Sequence, residues 1–89
     1  MVYVDGVEIP FKGKIMCHMI ADSTEELNEM ADLIGLNRSW IQNPGSLFEH
    51  YDVSLGKKRI AIENGAKEIK ATDIREIMQK KIDKRTLSK

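Results

Sequence analysis

Eighty-nine residues, 42% hydrophobic and 31% charged, make one small globular domain and exclude a low-complexity, collagen-like or disulfide-stapled chain. Basic and acidic residues number 14 each, yet residues 1–52 hold three bases and nine acids, and residues 53–89 eleven and five. The acidic half argues against broad nucleic-acid binding, and the two halves can attract each other within a monomer or across an expected homodimer.

Cys17 is the only cysteine, so no internal disulfide forms and a reducing compartment is expected. No apolar run approaches the roughly 20 residues that span a bilayer, so no membrane association is expected. The start, Met1 to Asp5, lacks the basic and apolar regions of a signal peptide. The cytoplasm is the expected location.

Val2-Tyr3-Val4 reads as a strand, and Asp5-Gly6 as a turn. Val7 to Ile9 is expected to pair back briefly before Pro10 ends it. Gly13 marks another turn, and Lys14 to Ala21 a mostly buried strand. Ser23 with Glu26 three residues on has capping-box spacing. Leu27, Met30, Ala31 and Ile34 follow at helical spacing, and Gly35 is a natural stop.

Asn37 to Leu47 reads as irregular or a short helical turn, with its strongest loop signal at Asn43-Pro44-Gly45-Ser46. Ser54 caps a second helix through about Asn64, stopped by Gly65. Lys67 to Lys70 is a short strand. Thr72 is expected to cap a third helix carrying Ile74, Ile77, Met78 and Ile82. The fold class is α+β (or a small α/β), a sheet of two to four strands packed against about three helices. Residues 1–82 form the single domain, and 83–89 a frayed polar tail.

Two polar stretches stand out. Cys17-His18 precedes Asp22, and His50-Tyr51-Asp52 leads into Ser54 and Lys57-Lys58-Arg59. Each histidine has an aspartate within four residues, which can orient a tautomer or share a metal, but neither spacing matches an established metal motif. No metal set and no cofactor is assigned. His50 and Asp52 share a face if the segment is extended, and Tyr51 then packs on the other. Cys17 faces away from His18 on a strand, so a catalytic thiolate is not expected. Three cations at a helix start oppose the dipole, so a phosphate or an acid such as Asp52 or Glu63 is expected to compensate. Trp40, in an expected loop near Gln42, either plugs the core, the favoured placement, or stacks on a ring.

The run Val2-Tyr3-Val4-Asp5-Gly6, Cys17-His18-Met19-Ile20-Ala21-Asp22, Trp40-Ile41-Gln42, His50-Tyr51-Asp52-Val53-Ser54, Lys58-Arg59 and Gly65-Ala66 resembles a known family. It is similar to the small bacterial and phage proteins of the domain-of-unknown-function family numbered four thousand and thirty-one, over residues 2 to about 78. Ile9-Pro10 and Met16 stand where that family usually has Trp-Pro and Trp. The resemblance supports the segment map and implies no activity. Its recurring polar residues match His18, Asp22, Gln42, His50, Asp52, Lys58 and Arg59, and Asp5 is a further candidate at a strand end.

Two imidazoles, several carboxylates and two cations suit a nucleotide-like or phosphorylated small molecule. In that reading Lys58 and Arg59 take phosphate beside the Ser54 helix start, His18 and His50 hydrogen-bond the ligand, and Trp40 or Tyr51 stacks. A phage protein of this kind would sequester a host signal. The alternative is a metal-assisted phosphoesterase or nuclease, with His18 or His50 as general acid or base, Asp22 and Asp52 orienting or binding metal, and Arg59 stabilising phosphoryl charge. Protein-partner binding and weak DNA binding through a poor helix-turn-helix likeness stay open.

Overall fold

The computed structural model describes residues 1–87. Five strands and three α-helices follow in chain order: β1 (Val2–Val4), β2 (Ile9–Phe11), β3 (Lys14–Ala21), α1 (Thr24–Ile34), β4 (Tyr51–Ser54), α2 (Leu55–Glu63), β5 (Lys67–Glu68) and α3 (Ile74–Leu87). The class is α+β, as the segment pattern predicts, with one strand more than expected. The expected tail from residue 83 instead continues α3 through Leu87, and residues 88–89 lie outside the described residues. No helix among the described residues is long and apolar enough to cross a membrane.

β3 is the centre of the mixed sheet. Met19 faces Val4 of β1 and Tyr51 of β4 at once, and Met16 faces both Ile9 of β2 and Ser54 of β4. β4 therefore lies on one edge of β3, and β1 and β2 share the other, all antiparallel to it. β5 extends the sheet parallel to β1.

β1 and β2 read as two halves of one interrupted strand. Between the Val4–Met19 and Ile9–Met16 pairs, four residues from Asp5 to Glu8 stand against only Cys17 and His18. The two extra residues make a bulge, the device by which a sheet re-aims a side chain. The hairpin then closes through Lys12 and Gly13, both at positive φ (50° and 79°), which a two-residue primed turn demands. Pro10 lies inside β2 instead of ending it. β2 is an edge strand, so the missing N–H of a proline breaks no ladder on its outer side.

Strand alternation sorts the core. Val2, Val4, Cys17, Met19, Ala21, Tyr51 and Val53 face α1 and α2 and pack against Leu27, Met30, Ala31, Ile34 and Ala61. Tyr3 and Ile20, on the other face, pack with Ile69, Ile74 and Ile77 under the first turns of α3. Ile82, on the apolar spacing of α3, is exposed. α3 thus covers one end of this second face, and the part around Met16, His18, Asp52 and Ser54 stays open.

Local signals account for the helix ends. Ser23 Oγ accepts from Glu26 N–H at 3.2 Å, and Gly35 closes α1 at φ 81°, letting Leu36 N–H reach Ala31 O at 2.8 Å. Ser54 Oγ accepts from Lys57 N–H at 3.2 Å and starts α2. Thr72 is not the cap of the third helix. A 3-10 turn at Ala71–Asp73 precedes it, and Asp73 Oδ2 accepts from Lys70 N–H at 3.1 Å.

Candidate functional site

The open part of the second face gathers His18, His50 and Asp52. His18 and Asp52 are directly opposed partners on β3 and β4. His50 is two residues before Asp52 and shares its face, as strand alternation requires. A bridge between Gln42 and His50 continues the ladder outward. One ligand atom from each of the three side chains lies within 4.8 Å of the others.

Both imidazoles are held from behind. His18 Nδ1 lies 2.8 Å from Asp5 Oδ2, and Asp5 Oδ1 accepts from His18 N–H at 2.9 Å and Val7 N–H at 3.3 Å. The bulge brings this carboxylate in, and it is 1% exposed. Two backbone N–H groups compensate its burial. His50 Nδ1 lies 2.9 Å from Phe48 O, a carbonyl that can only accept. Each Nδ1 therefore carries a hydrogen, and in the neutral ring Nε2 is then the atom with the lone pair. Ring packing adds to this: His18 and His50 meet edge to face at 5.1 Å, and the Phe48 ring lies 4.8 Å from His50.

Both Nε2 atoms look toward one oxygen. Asp52 Oδ1 is 3.9 Å from His18 Nε2 and 3.6 Å from His50 Nε2, while Oδ2 accepts from Gln42 Nε2 at 2.5 Å. The spacings exceed a hydrogen bond. With zinc bonds of ~2.0–2.1 Å, neighbouring tetrahedral ligands sit about 3.4 Å apart, so small inward rotations would suit an ion. With both rings neutral, three acceptors face each other, and among the described residues no side-chain donor bonds to any of the three. A cation is the group that such a set lacks. The residues fit a divalent transition-metal ion, with Asp5 and the Phe48 carbonyl as the outer partners that orient its histidines.

Other candidates lie elsewhere. Asp22 is not the partner of His18, because four residues of strand carry it about 13 Å away. It accepts from Tyr3 Oη at 3.1 Å and shares a cleft with Lys80, Lys81 and Lys84. The three cations of α2 are largely compensated within the fold: Lys57 Nζ donates to Ile34 O at 2.5 Å, at the negative end of α1, and Lys58 Nζ to Glu68 at 2.7 Å. The Glu68 bond raises the pKa of the Lys58 ammonium. Neither Asp52 nor Glu63 supplies the compensation. Arg59 is exposed beside Leu55 and Ile62, away from the histidines. Tyr51 is buried on the opposite face, where its hydroxyl donates to Asn28 Oδ1 at 2.7 Å, so it has no surface for a ligand.

Trp40 is not core. It is 60% exposed, on a 3-10 turn at Arg38–Trp40. With Phe11 (58% exposed), Met16, Lys14 and Lys57, it borders a groove of about 450 Å³ that reaches Asp52 and Gln42. Cys17 faces the core, and burial pushes its thiol pKa up, opposite to what a nucleophile needs.

Nothing in the sequence singles out Phe48. Its role comes from its carbonyl and from a loop that Glu49 closes by accepting from Gly45 N–H at 3.0 Å and from Thr24 Oγ1. No sequence signal marks such a contact.

The sequence profile of a family described as protein of unknown function, DUF4031, matches residues 2–81. The chain belongs to the DUF4031 family. No curated protein and no solved structure matches it. The DUF4031 match spans every residue of the cluster, from Asp5 to Asp52. Of the polar residues that carry the resemblance, Asp5, His18, Gln42, His50 and Asp52 converge in this DUF4031 protein, and Asp22, Lys58 and Arg59 do not.

Proposed function

We propose that this DUF4031 protein is a metal-dependent phosphoesterase whose ion is held by His18 Nε2, His50 Nε2 and Asp52 Oδ1. The supporting observation is the convergence of three acceptors whose remaining polar atoms are already committed: both Nδ1 atoms to acceptors, and Asp52 Oδ2 to Gln42. A divalent ion in such a set activates water and offsets phosphoryl charge. Three protein ligands leave positions for water and substrate.

Two histidines and a carboxylate also serve oxygen-activating iron. Asp52 is 37% exposed at a groove rim, open to the water that hydrolysis consumes. In that reaction the water oxygen bonds to phosphorus, the ester P–O bond breaks, and a water proton ends on the leaving oxygen. Asp5 and Phe48 hold the two rings so that their lone pairs stay aimed at the ion, and Gln42 fixes the Asp52 carboxylate.

The test is calorimetry of EDTA-stripped protein with Zn²⁺ and Mn²⁺, followed by hydrolysis of bis(p-nitrophenyl) phosphate and p-nitrophenyl phosphate. One ion per chain, metal-dependent turnover and loss of both in His50→Ala are expected. An ion that binds equally well to the His18→Ala/His50→Ala double variant rejects the assignment. Metal binding without turnover of either ester rejects the phosphoesterase and leaves ligand capture as the reading.

A further inference from the structure

We infer that Glu49 is a positioning residue of the candidate metal centre: by closing the loop from Asn43 to Glu49 it holds the Phe48 carbonyl on His50 Nδ1, and so keeps His50 Nε2 as the atom that meets the ion. This deepens the metal reading and rests on it for the ion, while the state of the imidazole needs no ion.

Burial singles out this carboxylate. Among the described residues, the buried charged or imidazole side chains are Asp5, Glu49 and His50. Asp5 and His50 already belong to the cluster. Glu49 is 4% exposed and is the neighbour of His50 in the chain. A buried carboxylate costs free energy unless donors meet it. Two do: Thr24 Oγ1, in the first turn of α1, donates to Oε1, and Gly45 N–H donates to Oε2 at 3.0 Å. One oxygen ties the loop to α1, and the other folds the loop back on itself.

Position in the chain gives this tie its consequence. Glu49 stands between the residue that supplies the carbonyl and the residue that carries the ring. The His50 main chain is fixed by its bridge to Gln42, its N–H 3.1 Å from Gln42 O and its carbonyl 2.8 Å from Gln42 N–H. Phe48 lies before that ladder, in a loop with Asn43 and Gly45 at positive φ (52° and 80°). The direction of its carbonyl follows from the backbone of Glu49, and the anchored side chain restricts that backbone. Lys81 Nζ also reaches Leu47 O, at 3.4 Å, a longer and weaker hold.

A Phe48 carbonyl turned away would release the Nδ1 hydrogen of His50. The neutral ring could then carry its hydrogen on Nε2, which has no lone pair for an ion in that tautomer. The two histidines are thus held in different ways. Asp5 meets His18 Nδ1 directly, at 2.8 Å, and Glu49 acts on His50 through the carbonyl on its other side.

The test reads the ring as well as the ion. Imidazole nitrogen NMR of metal-free protein at about pH 8, above the ordinary histidine range, reports which nitrogen of each ring carries hydrogen. Both rings of the wild type are expected to carry it on Nδ1. Glu49→Ala is expected to give His50 a mixture of tautomers and leave His18 unchanged. It should also weaken Zn²⁺ about tenfold by calorimetry, the lower end of what loss of an outer partner costs. Glu49→Gln can still accept from Gly45 N–H through its amide oxygen and turn its amide nitrogen to Thr24 Oγ1. It should therefore restore the wild-type tautomer and most of the affinity. If Glu49→Ala fails to fold, Thr24→Val removes one of the two donors and is expected to shift both readouts in the same direction by less.

A His50 ring unchanged in the variant that folds overturns the inference. So does a change shared equally by both rings, which would mark a general loosening of the fold. The metal-free spectrum separates the two readings. A wild type that takes up no Zn²⁺ removes the metal centre, and the His50 tautomer still decides what Glu49 does to the ring. Zn²⁺ bound as tightly by Glu49→Ala as by the wild type keeps the metal centre and removes the role of Glu49.

Discussion

Asp5 and His18 are joined twice, backbone to carboxylate at 2.9 Å and ring to carboxylate at 2.8 Å. One oxygen fixes where the strand passes, and the other fixes how the imidazole turns. The carboxylate is nearly inaccessible, so solvent does not loosen either bond. Position and tautomer of His18 are therefore set by the same side chain.

Replacing Asp5 should show this. Asp5→Asn keeps the size of the side chain but removes the charge and one acceptor. Metal affinity is expected to fall about 10–100-fold, the usual effect of losing an outer partner of a ligating histidine. Calorimetry with Zn²⁺ reads the affinity, and a thermal melt without metal reads the fold. An affinity unchanged beside a lowered melting temperature would make Asp5 structural only.

Metal should stabilise the folded chain. At an ion concentration 100 times Kd, one site contributes about 2.7 kcal/mol. For a chain of this size, that raises the melting temperature on the order of 10 °C. Asp52→Asn should abolish most of the rise, and Asp22→Asn, on a different part of the surface, should leave it intact.

Tyr51 anchors the strand that carries two of the ligands. Tyr51→Phe removes the hydroxyl that donates to Asn28 of α1 and leaves a half-buried amide without its donor. A loss of about 1–2 kcal/mol in urea unfolding is expected, with metal affinity nearly unchanged because the ring still fills the core.

Cys17 should be silent in the folded protein. Burial raises its thiol pKa, so near neutral pH the thiolate fraction is smaller than in a free cysteine. Ellman's reagent is expected to label it only after denaturation. Rapid labelling of the native protein would contradict its placement between the sheet and the helices.

The Lys58–Glu68 pair has a definite pH signature. Lys58 has its pKa raised above the ordinary 10.5 by the hydrogen bond to Glu68. Its contribution is present at neutral pH and is lost as pH rises through that raised value. Melts of the wild type and Glu68→Gln should differ slightly at pH 7–9 and converge in stronger alkali. Glu68 is mostly exposed, so the difference is small and is screened by salt.

Much of the fold is written locally. Ser23, Gly35 and Ser54 act on their own neighbours, and the helices begin and end where those residues predict. β3 is a long β-branched and apolar run of the same kind. β4 is only four residues long, between a loop and a cap, and its pattern shows only once it lies beside β3. The His50–Asp52 face follows from alternation within one segment. The meeting of His18 with Asp5 and Asp52 depends on pairing between distant segments, and so does the bond of Lys57 Nζ to Ile34 O at the end of α1. Trp40 lies outside the core where the sequence favours it inside, because a lone aromatic in a loop carries no periodicity to say which side it faces.

The bulge from Asp5 to Glu8 sets two demands on the same four positions. Removing any two of those residues would let β1 and β2 join into one unbroken strand along β3, a longer and more regular hairpin with more ladder hydrogen bonds. A deletion that includes Asp5 would also remove the carboxylate that holds His18 Nδ1. Of the changes that regularise the sheet at this point, those that lose Asp5 should therefore degrade the chemistry. Variants selected only for thermal resistance would be expected to collect here, stable and inert.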